Sequence, residues 1–227
     1  MSGYTVLDQL QIEPHITFIR IEPTDINLTL GDVFKSMSNL AWISDFDKQY
    51  TRESFEVRAV ETINYIANNI ISKSNSEITK DTGEIVVSEL SRLAVINEMG
   101  YLNIPLAELF KSQAVGNDGF DFFSKNLRKI ILFGEAKFNS RDNAYGASFE
   151  QIARFENQKQ DVSDIIEIKE FCCEESLNNH SKGKKGFIAS FASKATSTDR
   201  LIRGIKNNND YKKLIGFEEL ICVAVNV

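Results

Sequence analysis

The sequence predicts a mixed α/β (α+β) domain, and three observations carry that expectation. Apolar residues recur at helical spacing over 53–71 and 82–100. Short apolar runs at 16–21, 129–138, 186–193 and 217–227 read as strands. Helical and strand patterns alternate through the second half, which suits a mixed central β-sheet flanked by helices.

In chain order, residues 1–50 are the hardest to assign. Residues 16–21 (ITFIRI) alternate like a strand and are bounded by Pro14 and Pro23. Residues 32–43 have a short helical pattern. Over 53–71, Phe55, Ala59, Ile63, Ile66, Ala67 and Ile70 make one apolar face. The polar run 72–82 is a connection. Over 82–100, Val86, Leu90, Leu93 and Ala94 form a second stripe, with Gly100 as its stop. Residues 118–138 give two strands joined by a turn at 124–128. Residues 147–179 are rich in helix formers, and 186–193 is a strand. A short helix over 198–210 is capped by Thr198 or Asp199, and a final strand covers 217–227. This order places helices before strands. Residues 1–50 become an N-terminal extension packed on a 51–227 domain, effectively one domain with a helical N-terminal part. The chain ends inside an apolar strand pattern, which leaves a truncated or a tucked C-terminus open.

Composition excludes several function classes. A chain of 227 residues, 42% hydrophobic and 26% charged, is long enough and apolar enough to bury one sizeable core. No segment approaches the roughly 20 apolar residues that span a bilayer. The N-terminus lacks the basic and apolar regions of an export signal, so a cytoplasmic protein with no membrane partner is expected. Cys172, Cys173 and Cys222 are a poor disulfide framework. The adjacent pair reads as one thiol packed inward and one at a helix edge. With only His15 and His180, a conventional zinc site or a Ser–His–Asp triad is hard to build. Gly183 to Gly186 (GKKG) is too short for a phosphate-cradling P-loop.

Chemistry concentrates at Asp121, Glu135 and Lys137. Glu135 and Lys137 are two apart on a strand and so leave the same face, while Ala136 faces packing. With a short turn between the strands, Asp121 falls opposite Glu135, and cross-strand β-carbons lie about 5 Å apart. Two carboxylates at that spacing suit a hard divalent cation, Mg²⁺ or Mn²⁺. Phosphodiester hydrolysis needs charge neutralisation, an aimed water and a stabilised leaving oxygen. Asp121 and Glu135 would hold the metal. Lys137, a compact point charge, would orient the water or stabilise the pentacovalent phosphate. Gly134 allows close backbone approach. The bland alternative is a strand end emerging into solvent.

Gly-Phe-Asp at 119–121 followed by Leu-Phe-Gly-Glu-Ala-Lys at 132–137 resembles the metal-binding motifs of the restriction-endonuclease-like PD-(D/E)xK nuclease superfamily. Phe120 stands where a proline often precedes the motif aspartate. The resemblance implies a restriction-endonuclease-like core, a helix acid at Glu84 or Glu89, and an assisting Gln151 on the following helix. More narrowly, the Thr-Gly-Glu-opened helix at 82–84, these motifs and the helix after them resemble the small nuclease subunit family of the Hachiman anti-phage defence system, over roughly residues 50–227. That family implies a DNA substrate cut without strong sequence specificity and a partner helicase encoded beside it.

Net charge is −6, yet residues 181–213 carry nine Lys/Arg against two Asp. Lys182, Lys184, Lys185, Lys194, Arg200, Arg203 and Lys206 would track a phosphate backbone if they share a face. An ordinary solvated surface is the competing reading. A non-catalytic subunit that binds a partner or nucleic acid through the same fold is the competing function.

Overall fold

A computed structural model of the protein describes residues 3–68, 80–111 and 119–227. Its centre is one six-stranded sheet in the order β1-β2-β6-β5-β4-β3. The strands are β1 (Tyr4–Glu13), β2 (Ile16–Pro23), β3 (Phe122–Lys125), β4 (Ile131–Lys137), β5 (Lys185–Ser193) and β6 (Glu219–Asn226). The inner strands β2, β6, β5 and β4 run parallel, and an antiparallel partner closes each edge. The expected mixed sheet flanked by helices is therefore present.

The opening of the chain differs from the expectation. Residues 4–23 form a hairpin that supplies two strands of the sheet itself, ahead of any helix. β1 was hard to read because it is an edge strand with mostly exposed side chains, and its polar sequence carries no buried stripe. β2, buried at six successive positions, was legible for the opposite reason.

The helices are α1 (Ile26–Met37), α2 (Gln49–Ile66), α3 (Lys80–Met99), α4 (Tyr145–Asn157), α5 (Gln160–Ile168), α6 (Glu174–Ser181), α7 (Thr198–Asn207) and α8 (Asn209–Leu214). α1 starts and stops earlier than the 32–43 pattern, and Ala41–Asp45 is a separate 3-10 turn. Ile70 and most of the 72–82 connection lie outside the described residues, though Lys80 already belongs to α3. α7 is capped by the Ser197 hydroxyl, which accepts from the Arg200 N–H, not by Thr198 or Asp199. α8 follows at once because Asn208 caps it through Asp210 and Tyr211 N–H groups.

The sheet separates two apolar layers. Val86, Val87, Leu90 and Ala94 of α3 pack with Leu132, Ala136, Ile188 and Val223 on one face. Phe149 and Ile152 of α4 pack with Ile131, Phe133, Phe187 and Phe191 on the other. No helix among the described residues is long and apolar enough to cross a membrane.

Gly134 faces the fully buried Phe122 across the β3–β4 pair, and an added β-carbon would lie 2.6 Å from two ring atoms. Because that ring has nowhere to retreat, Gly134→Ala is expected to lower unfolding free energy by about 1–3 kcal/mol. Urea denaturation measures it, and a change under about 0.5 kcal/mol would show that the ring can yield.

Candidate active site

β4 interrupts its own apolar pattern at its C-terminal end. Ile131 and Phe133 enter the layer under α4, and Glu135 takes the next position on that face at 1% exposure. Lys137 follows two residues later, with Nζ 2.6 Å from Glu135 Oε1. Phe122 pairs with Gly134 in antiparallel register, so Asp121, the residue before β3, lies at the end of β4 that carries Glu135. Two backbone bonds lock this arrangement. The Asp121 N–H donates to the Gly134 carbonyl (2.9 Å), and the Ala136 N–H donates to Asp121 Oδ2 (2.7 Å).

The segment carrying Asp121 is clamped from both sides. Lys111 Nζ donates to the Phe120 carbonyl at 3.1 Å, and Asp164 Oδ2 accepts from the Phe120 N–H at 2.9 Å. Lys111 and Asp164 also pair with each other at 3.3 Å, both buried. Gly119 completes the clamp. Its φ is +135°, and a β-carbon there would sit 2.5 Å from Lys111 Nζ and 2.6 Å from Asp164 Oδ1.

Of the two helix acids, Glu84 is the one whose charge acts on Asp121, Glu135 and Lys137. α3 comes this close because Gly83 lies against the Phe138 ring, where any side chain would collide. Glu89 has a structural position. It is 1% exposed, forms a two-pronged pair with Arg92 at 2.7 Å, and accepts from the Ser36 hydroxyl. Gln151 is half-buried on α4, one turn beyond Ser148, whose hydroxyl donates to the Glu135 carbonyl at 3.0 Å.

Sequence reading missed Glu108. It sits on the 3-10 turn Ala107–Leu109, which the Ala107 N–H ties to the Asp121 carbonyl at 2.9 Å. The available signal was one acid inside the apolar run Ile104-Pro105-Leu106-Ala107-Glu108-Leu109-Phe110. Lys111 and Asp164 were also missed, because their pairing spans 53 positions.

The cluster is short of counter-charge. Among the described residues, Glu84 Oε1, Glu108 Oε2 and Glu135 Oε2 are buried without a hydrogen-bond partner, and Lys80 reaches Glu84 only at 3.9 Å. Burial, helped by the charge of Asp121, lifts Glu108 to about 7. Burial lifts Asp121 to about 6 against Lys137 and the Ala136 N–H. Burial and Asp121 together hold Glu135 well above the usual carboxylate range, despite Lys137. For Lys137, burial favours the neutral form, but Glu135 and Asp121 outweigh it and keep the ammonium. Among the described residues, no group of three or more His, Cys, Asp or Glu side chains is arranged to hold a metal ion. Two contacts occupy oxygens of the cluster. Lys137 occupies one Glu135 oxygen, and the backbone occupies one Asp121 oxygen.

The basic run divides in space. Lys182 and Lys184 precede β5, whose first residue pairs with Ile131, so they lie at the far end of β4 from Glu135. Lys185 is buried and paired with Asp161 (2.9 Å) and Glu156 (3.6 Å), which removes it from any phosphate path. Lys194, Arg200, Arg203 and Lys206 follow the C-terminal end of β5, the end at which Lys137 lies. Lys194 donates to the Val227 carbonyl and lies over the Phe138 ring. Arg200 and Arg203 line a polar cleft of about 520 Å³ with Asn143, Tyr145 and Asn207. All three cysteines are free thiols. Cys172 packs on the core, and Cys173 precedes α6, so the pair divides as expected.

No protein-family model matches the chain, and no curated protein matches it.

The raised carboxylates set a pH dependence for the metal-free chain. Between the ordinary carboxylate range and about pH 7 the folded state binds more protons than the unfolded one, so stability falls as pH rises. Asp161 shifts the other way. His180 and Lys185 outweigh its burial and hold it low, so it acts only below that window. In EDTA, the Tm is expected to drop from about pH 5.5 to about pH 8, and Glu108→Gln to flatten the drop. A wild-type Tm that rises over this interval would refute the shared burial of these carboxylates.

Proposed function

We propose that this chain is a divalent-cation-dependent nuclease acting on DNA, with Asp121, Glu135 and Lys137 as its reactive set. The observation that carries the reading is the anchoring of Asp121 to Gly134 and Ala136 on either side of Glu135, with Lys137 paired to Glu135 and, among the described residues, carboxylate oxygens of Glu84 and Glu135 left without a hydrogen-bond partner. These residues fit a hard cation. The donors are all carboxylate oxygens, and Mg²⁺ commonly takes only one or two carboxylates and keeps its waters. Asp121 and Glu135 would hold it, with Glu84 nearby. Bound there, Mg²⁺ or Mn²⁺ supplies neutralising charge for a phosphate and an acidified water.

The protein's own residues do the remainder. Lys137 keeps its proton in the cluster, so it presents a fixed positive charge to a phosphate oxygen or an attacking water. The Ala136 N–H holds Asp121 in one orientation, and the Ser148 hydroxyl anchors the Glu135 backbone to α4. Gln151 lies one turn along α4 to assist. Lys194, Arg200, Arg203 and Lys206 guide the phosphate backbone at this end of the sheet, without Lys182, Lys184 and Lys185. The resemblance to the Hachiman small subunit supports a cytoplasmic role in anti-phage defence beside a co-encoded helicase.

The second reading is a non-catalytic subunit that binds a partner or nucleic acid. The closed Lys137–Glu135 pair favours it, since that contact occupies an oxygen the cation needs.

Cleavage of supercoiled and linear DNA in Mg²⁺ or Mn²⁺ separates the readings. Wild type, alone or with the co-encoded helicase, is expected to cut. Glu135→Ala and Lys137→Ala should each lower the rate by about 100-fold or more with the fold intact. Cutting that survives both substitutions rejects the site, and silence even with the helicase favours the binding subunit.

DNA affinity tests the divided basic run. Replacing Arg200 and Arg203 together by Ala is expected to reduce the slope of log K against log salt by about 2. The Lys182→Ala, Lys184→Ala pair should leave it unchanged. Equal effects from both pairs would show that the whole basic run binds.

A further inference from the structure

A cavity of about 760 Å³ lies at the opposite end of the sheet from Glu135, between the α4–α5 turn, α5, α6 and the start of β5. That volume is ordinary for a small-molecule site. Lys185 of its lining pairs with Ile131, four residues before Glu135 on β4 and so about 13 Å away along the strand. The cavity takes no part in the nuclease reading and does not rest on it. Lys182 and Lys184 flank Gly183 of its lining, so the half of the basic run remote from Lys137 belongs to this side of the molecule.

Three chemical features meet in this cavity. The first is an apolar wall. Val162, Ile165 and Ile166 fall one turn apart on α5, and Leu177 of α6 joins them. Val162 is 53% exposed and Ile166 63%, so the wall is open to water. The second feature is an acceptor. His180 Nε2 and Lys185 Nζ both meet Asp161 Oδ2, at 2.8 and 2.9 Å. Oδ1 of the same carboxylate is buried without a hydrogen-bond partner among the described residues. A buried acceptor without a donor is costly, and a ligand N–H or O–H supplies one. The third feature is positive charge. Lys159 and Lys169 line the cavity, are exposed, and form no ion pair among the described residues. Glu156, the other acid of the lining, is paired with Lys185 at 3.6 Å. We propose that the cavity binds a small organic anion that has an apolar body and a hydrogen-bond donor. The body packs on Val162, Ile165, Ile166 and Leu177, the donor satisfies Asp161 Oδ1, and the negative group meets Lys159 and Lys169.

The test is fluorescence titration of the full chain with anilinonaphthalene sulfonate, which carries an apolar body, an N–H and an anion. Wild type is expected to bind it saturably at one site. Ile166→Glu, which places an acid on the wall, should weaken binding about tenfold. Lys159→Ala with Lys169→Ala should weaken it about fivefold, yet leave binding of the uncharged N-phenylnaphthylamine unchanged. Indole-3-acetate should displace the dye at about fivefold lower concentration than 1-naphthaleneacetate, which lacks the N–H. The substituted side chains are exposed, so circular dichroism and Tm should match wild type. Absence of saturable binding overturns the proposal, as does binding that survives Ile166→Glu. Equal losses for the charged and uncharged dyes in the lysine variant overturn the role of Lys159 and Lys169. Equal potency of the two acids overturns the role of Asp161.

Discussion

A carboxylate removed from water needs a proton, a cation or a set of donors, and Asp121 sits where Glu84, Glu108 and Glu135 compete for the same few. The donors at hand include the Ala136 N–H and the ammonium of Lys137. The cluster is therefore frustrated in the metal-free state. The core tolerates this. Nine phenylalanines among the described residues are fully buried, each worth about 1.5–3 kcal/mol, which offsets a few unfavourable carboxylates.

The scaffold keeps the carboxylates from drifting apart or out to solvent. Asp121 is fixed by bonds to main-chain groups of Gly134 and Ala136 on β4 and of Ala107, two segments distant in sequence from each other. The buried Lys111–Asp164 pair grips the residue before it. Removing one member of a buried pair leaves an uncompensated charge, so that clamp is costly to break. Glycine at 83 and 119 allows neighbours to approach where any β-carbon would block them. The carboxylate cluster is thus held by backbone and tightly packed side chains, the kind of support a preorganised site needs.

Charge elsewhere is arranged around this end of the sheet. Arg200, Arg203 and Lys206 ride on α7, next to the strand end that carries Lys137. Lys185 serves a different purpose, meeting Asp161, which also binds His180 at 2.8 Å, at the opposite end of β5. A contiguous basic stretch in the sequence has therefore been cut in two by the strand that runs through it. Roughly 3.3 Å of rise per residue carries its two parts to opposite ends of the sheet.

By itself the sequence determined the strands and helices whose buried faces are periodic, such as β2, β4 to β6, α2 and α3. It also determined the β3–β4 hairpin, because a short turn sets cross-strand register locally. The edge strand β1 was illegible because it has little buried face to display. Only the tertiary structure could choose Glu84 over Glu89, since both are acids on one helix and the choice depends on Arg92, Ser36 and Phe138. Only it could add Glu108, Lys111 and Asp164, or divide the basic residues. Those groups meet through chain separations that no local pattern encodes, and their energies depend on burial, which is a property of the folded whole.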